Sequence, residues 1–131
     1  MILRAITALV VEDDPAHREL AEMLLIRAGA TVSVADNAYD ALARLETGGC
    51  PDLILCDLRM PGVDGFEFAK RLRAESKCRE VRLVALTAIR DPIVYSRSWS
   101  AGYDFHLDKP LTPEKLATLA SVLSIGRRAR L

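Results

Sequence analysis

Apolar runs alternate with longer stretches of helical periodicity along the whole chain, and this alternation limits it to few folds. The runs that predict strands are 8–11, 31–34, 52–56, 81–86 and 105–107. The first, third and fourth are almost continuously hydrophobic, as expected of strands that helices cover on both faces. Strands that alternate with crossover helices form a parallel sheet. The pattern therefore predicts an α/β fold with a five-stranded parallel sheet and the order (βα)5.

The stretches between the strands carry signals for the beginning and end of helices. Asp14, Asp91 and Thr112 each precede a proline, so a capping side chain stands next to a residue suited to the first helical turn. Asp64 and Glu67 have the spacing of a capping box. Glycines that can adopt a left-handed terminal conformation follow the helical stretches: Gly29, Gly48, Gly49, Gly102 and Gly126.

Size and composition indicate one domain, residues 1–131, with a core over about 5–125 and a short basic tail at 127–130. Half of the 131 residues are hydrophobic and the formal net charge is zero. The chain therefore lacks the basic excess that attracts nucleic acid. No apolar run approaches the roughly 18 residues of a membrane span. The apolar start is short and runs into Glu12, so it predicts a first strand and not a signal peptide.

The cysteines are three in number, Cys50, Cys56 and Cys78, and none belongs to a C-x-x-C pair. This odd number and spacing predict neither a zinc site nor a disulfide framework. We expect reduced thiols in a cytoplasmic protein.

Carboxylates follow the first and third predicted strands at their carboxyl ends, where open α/β sheets bind ligands. Glu12 and Asp13 follow the first strand, and Asp57 follows the third. Carboxylates brought close together repel one another unless a cation neutralises them. Magnesium suits this set because it prefers hard oxygen ligands. Asp13 and Asp14 could instead only cap the next helix; Asp14 before Pro15 fits that role, which leaves Glu12 and Asp13 for a metal.

Asp57 lies between a buried strand and a proline–glycine turn, which favours a chemical role over a solubilising one. Beside magnesium, its carboxylate can attack phosphorus in line and form an acyl phosphate. Lys109, after the fifth strand, would offset charge on the phosphoryl oxygens, and Thr87, at the end of the fourth, would donate its hydroxyl to one of them. Alone, Thr87 and Lys109 are ordinary strand-end and surface residues; together with Asp57 they favour phosphoryl chemistry.

Four segments together resemble the receiver domain of bacterial two-component response regulators. They read VVEDD at 10–14, DLRMPGVDG at 57–65, LTA at 86–88 and KP at 109–110. The resemblance implies a flavodoxin-like fold with strand order 2-1-3-4-5. It also implies that Asp57 is a phosphoacceptor, that Thr87 and Lys109 read the phosphorylated state, and that the Lys109-Pro110 peptide is cis. Four groups would hold a magnesium or manganese ion: the side chains of Glu12, Asp13 and Asp57 and the backbone carbonyl of Arg59.

The same resemblance implies partners. A histidine kinase or a histidine phosphotransfer protein would supply the phosphoryl group. A downstream protein would bind the face formed by the fourth helix, fifth strand and fifth helix, and a phosphorylation-linked homodimer would use the same face. We expect no direct contact with nucleic acid or membrane.

His106 stands where the family has a switch aromatic, usually tyrosine or phenylalanine. Because histidine can become charged near neutral pH, it predicts a weaker or pH-sensitive switch; the alternative is a partly exposed histidine tolerated on the output face. Tyr95 and Trp99 share one side of the fourth helix and either pack beneath it or form a partner surface. Ile89 has no polar group to place a hydrolytic water, which predicts a long-lived phosphoaspartate.

The favoured function is a phosphorylation-dependent signalling switch that catalyses only its own phosphorylation and dephosphorylation, and so is not an enzyme in the usual sense. The chain is either a stand-alone receiver or the receiver part of a hybrid histidine kinase or larger regulator. A second hypothesis is an aspartate-nucleophile phosphatase of the haloacid dehalogenase type. That chemistry needs a second aspartate two residues after the nucleophile, where Arg59 stands. A nucleotide- or flavin-binding domain is not favoured, since the chain lacks the glycine-rich phosphate loops.

Overall fold

The computed structural model has a central parallel sheet with helices on both faces. It describes the backbone of residues 2–88 and 90–130 and the side chains of residues 2–88 and 90–123. The strands are β1 (Thr7–Val11), β2 (Thr31–Ala35), β3 (Leu53–Asp57), β4 (Arg82–Thr87) and β5 (Phe105–Asp108). The helices are α1 (Pro15–Arg27), α2 (Ala38–Thr47), α3 (Gly65–Glu75), α4 (Pro92–Ala101) and α5 (Pro113–Arg130).

The sheet has the order β2-β1-β3-β4-β5 with every neighbouring pair parallel, which confirms the predicted fold class and strand order. The register pairs Val11 with Cys56 and Asp57 with Leu86. Thr87 is paired with Asp108 on β5. Asp57 and Thr87 are therefore the last residues of their strands, and both reach the same edge of the sheet.

Alternate residues of the central strands point into two separate cores. On one face, Leu9, Ile54 and Leu83 pack against side chains of α2 and α3. On the other face, Val10 and Leu55 pack against side chains of α1 and α5. The strands β1, β3 and β4 are buried on both faces, which explains their nearly continuous hydrophobic sequence.

The predicted helix starts are confirmed by capping hydrogen bonds. The side chains of Asp14 and Asp91 each accept a bond of 2.9 Å from a backbone N–H two residues on. Thr112 accepts one from Lys115 N at 3.2 Å. Asp64 accepts one from Glu67 N at 2.9 Å. The predicted capping box is only half formed, because the Glu67 carboxylate pairs with Arg71.

The glycine predictions hold at two helix ends and fail at two others. Gly29 and Gly102 have positive φ angles of 104° and 119°. Gly48 ends α2 with φ −107°, an extended conformation that needs no glycine. Gly126 does not end α5, because the helix continues to Arg130; one glycine inside a helix only weakens it. The segment 127–130, predicted to be a basic tail, belongs to this helix, and its side chains lie outside the described residues.

The prediction of no disulfide was wrong. Cys50, in the α2–β3 connection, is bonded to Cys78, in the α3–β4 connection, with an S–S length of 2.08 Å and a Cα–Cα distance of 5.4 Å. The two connections lead into the neighbouring strands β3 and β4, so the sheet brings together cysteines 28 residues apart. Close-spacing motifs do not detect such a pair. Cys56 is the remaining thiol and is buried.

Arg73, near the end of α3, joins the α3–β4 and α4–β5 connections at the amino edge of the sheet. Its Nε and Nη2 donate to the carbonyl of Gly102 at 3.0 and 2.7 Å. Its Nη1 donates to the carbonyls of Arg79 and Val81 at 2.7 and 2.6 Å. Nη2 also pairs with Asp104 Oδ2 at 3.0 Å. We call this set of contacts the Arg73 network.

A helix that crosses a membrane must be long and apolar throughout. None of the helices, as far as the chain is described, meets both conditions.

Candidate functional site

A pocket of about 310 Å³ opens at the carboxyl edge of the sheet. The strand ends and the connections after β1, β3, β4 and β5 form its walls: Glu12, Asp13, Asp14, His17, Asp57, Arg59, Thr87, Ala88 and Lys109. The structure thus brings together every residue that the sequence analysis assigned to phosphoryl or metal chemistry.

Three carboxylates face one another in this pocket. Glu12, Asp13 and Asp57 each offer an oxygen, and these oxygens all lie within 4.8 Å of one another. Glu12 is 1% exposed and Asp57 7% exposed, so water screens their charges poorly. Arg18 in α1 holds the acidic segment, because its Nη1 donates to the carbonyl of Glu12 at 3.1 Å.

Lys109 is the cation inside the pocket. Its Nζ lies 2.9 Å from Glu12 Oε2 and 3.3 Å from Asp57 Oδ2. Burial alone would lower the pKa of Lys109, but the hydrogen bond to Glu12 and the charges of Asp57 and Glu12 outweigh burial and raise it. Burial raises the pKa of Glu12, and Lys109 opposes this rise only in part. Lys109 is therefore held charged between two carboxylates.

The donor set fits a divalent cation. One lysine does not balance three carboxylates, so the cluster keeps a net negative charge when all are ionised. Glu12 Oε2 is buried, and apart from its ion pair with Lys109 it accepts no hydrogen bond within the described part of the chain. Hard carboxylate oxygens in a small pocket are the ligands that magnesium and manganese prefer.

The carboxylate of Asp57 is oriented by two groups on opposite oxygens. Arg59 N donates to Oδ1 at 3.1 Å, while Lys109 faces Oδ2.

Behind Asp57, the first residue of α3 approaches the backbone of β3 closely. A Cβ at Gly65 would lie 2.4 Å from the Asp57 carbonyl oxygen and 2.7 Å from Leu58 Cα. Gly65 is thus a positioning residue that the sequence analysis quoted but did not explain.

Thr87 and Arg59 complete the wall around Asp57. Thr87 is buried at the end of β4, on the strand next to Asp57, and Lys109 N donates to its carbonyl at 3.0 Å. The Arg59 side chain is exposed at the pocket mouth. The Lys109-Pro110 peptide is cis, as the resemblance implies.

His17 also belongs to this pocket, as a residue of its rim. Its Nδ1 lies 3.1 Å from Lys109 Nζ and 3.4 Å from Asp14 Oδ2, and its side chain is half exposed. His17 is the third residue of α1, so the first turn of the helix places it beside the acidic segment.

His106 lies on β5, outside the pocket. Its ring meets Tyr95 and Trp99 edge-on, with centroid distances of 5.1 and 4.9 Å. Its Nε2 is hydrogen-bonded to Ser98 Oγ. The Ser98 hydroxyl also donates to the carbonyl of Tyr95 at 2.8 Å. Burial lowers the pKa of His106, despite the nearby charge of Asp108.

Tyr95 and Trp99 both contact His106 but differ in burial. Tyr95 is half-buried, whereas Trp99 is 54% exposed. The Tyr95 hydroxyl donates to Asp108 Oδ1 at 3.1 Å. The prediction made from Ile89 concerns a position outside the described residues.

Comparisons with known proteins agree with this geometry. The profile of the response regulator receiver domain matches residues 8–121. An uncharacterized 14.6 kDa protein of Leptolyngbya boryana is 39% identical over 111 residues, covering 85% of this chain and 84% of that protein. The transcriptional regulatory protein AfsQ1 of Streptomyces coelicolor is 36% identical over 121 residues, covering 92% of this chain but 52% of AfsQ1. The chain thus spans about half the length of that regulator.

A solved structure shows the same fold. The receiver domain of the sensor histidine kinase PA1611 from Pseudomonas aeruginosa, with a magnesium ion coordinated in its active site cleft, has a TM-score of 0.81 and 28% identity. The match covers 90% of this chain and 96% of that domain. Sequence profile, pocket and topology agree, and this chain belongs to the family of response regulator receiver domains.

Proposed function

We propose that Asp57 accepts a phosphoryl group from a phosphohistidine donor and that this modification changes the affinity of the domain for a downstream protein. Receiver domains are signalling switches of two-component systems and not classical enzymes, and this chain is one of them. The observation that carries the proposal is the position of Asp57, which shares one pocket with Lys109, Thr87 and two further carboxylates.

The proposed reaction is an in-line transfer. An oxygen of Asp57 attacks phosphorus, the N–P bond of the donor breaks, and its electron pair remains on the imidazole of the donor. Arg59 N and Lys109 hold the carboxylate from either side. Lys109 then offsets negative charge on the phosphoryl oxygens, and Thr87 donates its hydroxyl to one of them.

A divalent cation supports this chemistry. The groups that would hold magnesium, or manganese in its place, are the carboxylates of Glu12, Asp13 and Asp57 and the backbone carbonyl of Arg59. When bound, the ion neutralises the carboxylates and the phosphoryl oxygens together. Two observations support this assignment. The buried Glu12 oxygen accepts no hydrogen bond among the described residues apart from its ion pair with Lys109, and the PA1611 domain holds magnesium in its cleft.

The proposed switch uses Thr87 and His106 on adjacent strands. β4 and β5 pair Ala85 with His106 and Thr87 with Asp108, so the two side chains are two register steps apart. A movement of Thr87 toward a phosphoryl group would alter the packing of His106 against Trp99. The output face would then be the surface of α4, β5 and α5, where a downstream protein or a second copy of the domain would bind.

The proposed donor is a histidine kinase or a histidine phosphotransfer protein, and the proposed location of the reaction is the cytoplasm. The likeness to a receiver domain within a sensor kinase and to a part of a transcriptional regulator supports such a donor. We propose that residues 1–131 act as one receiver unit, whether alone or as part of a longer regulator or hybrid kinase.

The test is phosphorylation by acetyl phosphate with magnesium, followed by intact-protein mass spectrometry. The wild type should gain one phosphoryl group that hydroxylamine removes, and the Asp57→Asn variant should gain none. Asp64→Asn is the matched control, because asparagine can also cap α3 and the residue lies outside the pocket. Equal labelling of Asp57→Asn and wild type would refute the proposal. Steady hydrolysis of small phosphate esters would favour the phosphatase alternative.

A further inference from the structure

Outside the acidic pocket, the described chain contains a disulfide between Cys50 and Cys78. We propose that this pair is a reversible redox modification site whose co-reactants are small thiols and their disulfides. The proposal is independent of the proposed phosphorylation, since the bond lies at the opposite edge of the sheet from Asp57.

The sheet itself holds the two cysteines together. Leu53 at the start of β3 is paired with Arg82 at the start of β4. Cys50 precedes the first of these residues by three positions and Cys78 precedes the second by four. Because the register fixes where both strands begin, the Cα–Cα distance of 5.4 Å can persist when the bond is reduced. Opening and closing the bond therefore requires no rearrangement of the strands.

The two cysteines differ in exposure. Cys50 is exposed and lines two clefts, of about 350 Å³ and about 390 Å³. Cys78 also lines the first cleft, but it is 3% exposed and belongs to the core cluster on the α2–α3 face. An incoming thiolate therefore reaches Cys50, and the sulfur of Cys78 is the leaving group.

The exchange balances with a thiol as reductant. A thiolate attacks Cys50 Sγ, the S–S bond breaks, and its electron pair goes to Cys78 Sγ, which takes a proton from water. A second thiolate attacks the sulfur of the first reductant in the mixed disulfide and releases Cys50 as a thiolate, which also takes a proton. Two electrons pass to the protein, and the two reductant thiols become a disulfide. The reverse reaction uses a small disulfide as oxidant.

Charges around the cleft favour this co-reactant class. Lys77, Arg79 and Arg82 line the same cleft as Cys50, together with the acidic residues Asp52 and Glu80. The cations exceed the anions by one, which favours a thiolate and a thiol compound that carries carboxylates. In a reducing compartment such a pair is transiently oxidised and so reports redox state, whereas a purely structural bond would not persist.

The third cysteine does not take part. Cys56 is fully buried, and its Sγ donates to the Asp57 carbonyl at 3.3 Å. Burial raises the pKa of the Cys56 thiol far above its usual range, so it remains protonated and unreactive. The exchange is therefore confined to one pair of sulfurs.

The first experiment counts thiols. The full chain is equilibrated with reduced and oxidised glutathione at varied ratio, quenched with acid, unfolded and alkylated, and its mass is measured. We expect one alkyl group, on Cys56, at the oxidising end and three at the reducing end, with full return on reversal. The Cys56→Ala control should carry no alkyl group at the oxidising end and two at the reducing end. Persistence of all three thiols at the oxidising end, or dimers linked through Cys50, would overturn the proposal.

The second experiment measures how reduction of the disulfide changes stability and which of the two cysteines reacts with a small disulfide. Reduction should lower the melting temperature by about 10 °C, because the bond closes a segment of 28 residues, and should leave that of Cys50→Ser unchanged. Oxidised glutathione should modify Cys50 in the folded Cys78→Ala variant and should not modify Cys78 in folded Cys50→Ser. The inference would be contradicted if reduction left the melting temperature of the wild type unchanged, or if oxidised glutathione modified the two variants equally. Neither readout needs Asp57 to be phosphorylated, so the two proposals fail separately.

Discussion

Replacing Arg73 by methionine should destabilise the domain far more than its position near the end of a helix suggests. Methionine keeps most of the aliphatic length and removes every donor. The carbonyls of Gly102, Arg79 and Val81 then lose bonds of 2.6–3.0 Å, and Asp104 loses its ion pair. Hydrogen bonds to a charged group are worth roughly 1.5–3 kcal/mol each.

The Arg73 side chain is 24% exposed, so water replaces some of these bonds in the variant. We therefore expect a loss of about 3 kcal/mol in the free energy of unfolding, well below the sum of the separate bonds. The stability of an Arg73→Lys variant should lie between those of the wild type and Arg73→Met, because a single ammonium group cannot reach all four acceptors at once.

The assay is equilibrium urea unfolding followed by far-UV circular dichroism, with the disulfide oxidised in every sample. Arg71→Met is the matched control: Arg71 lies two residues earlier on α3 and makes one exposed ion pair with Glu67 at 3.2 Å. That variant should lose only about 0.5 kcal/mol. If both methionine variants lose the same amount, the Arg73 network contributes no more than an exposed ion pair and the reasoning is wrong.

Three further predictions concern the site and its surroundings. Gly65→Ala should lower the free energy of unfolding by about 2–4 kcal/mol in thermal unfolding, because the added Cβ would collide with the backbone of β3. Gly49→Ala should lower it far less, because nothing lies within 4 Å of a Cβ there. Similar losses in the two variants would be contrary evidence. Burial lowers the pKa of His106 in the folded protein, so the unfolded chain binds the proton more readily. As the pH falls below about 6.5, the stability of the wild type should therefore decline more steeply than that of His106→Gln. Parallel stability profiles of the two proteins would count against this reasoning. Magnesium should raise the midpoint of urea unfolding of the wild type, and EDTA should reverse the rise. The rise should be lost in Asp13→Asn and kept in Asp14→Asn. A rise in both variants would speak against the assigned ligands.

The fold and the acidic pocket were predictable because their signals are local. Each strand is indicated by its own apolar run, and Asp57 and Thr87 stand at the ends of such runs. Parallel strands bring their carboxyl ends to one edge, so residues distant in the chain could be assigned to a single site without knowledge of coordinates.

The parts that escaped prediction depend on tertiary contacts. Cys50 and Cys78 meet only because β3 and β4 are neighbours. His17 and Lys109 are 92 residues apart in the chain, and they meet only because the parallel sheet brings both to its carboxyl edge. The Arg73 network uses mostly carbonyl acceptors, which every residue possesses, so no sequence pattern could indicate it.

The disulfide also has a topological consequence. Together with the chain from 50 to 78 it forms a covalent ring that carries β3, the exposed Pro61-Gly62 turn and α3. A protease that cuts the turn opens the ring without releasing a fragment. The nicked chain would migrate as one species on a non-reducing gel and as two after reduction.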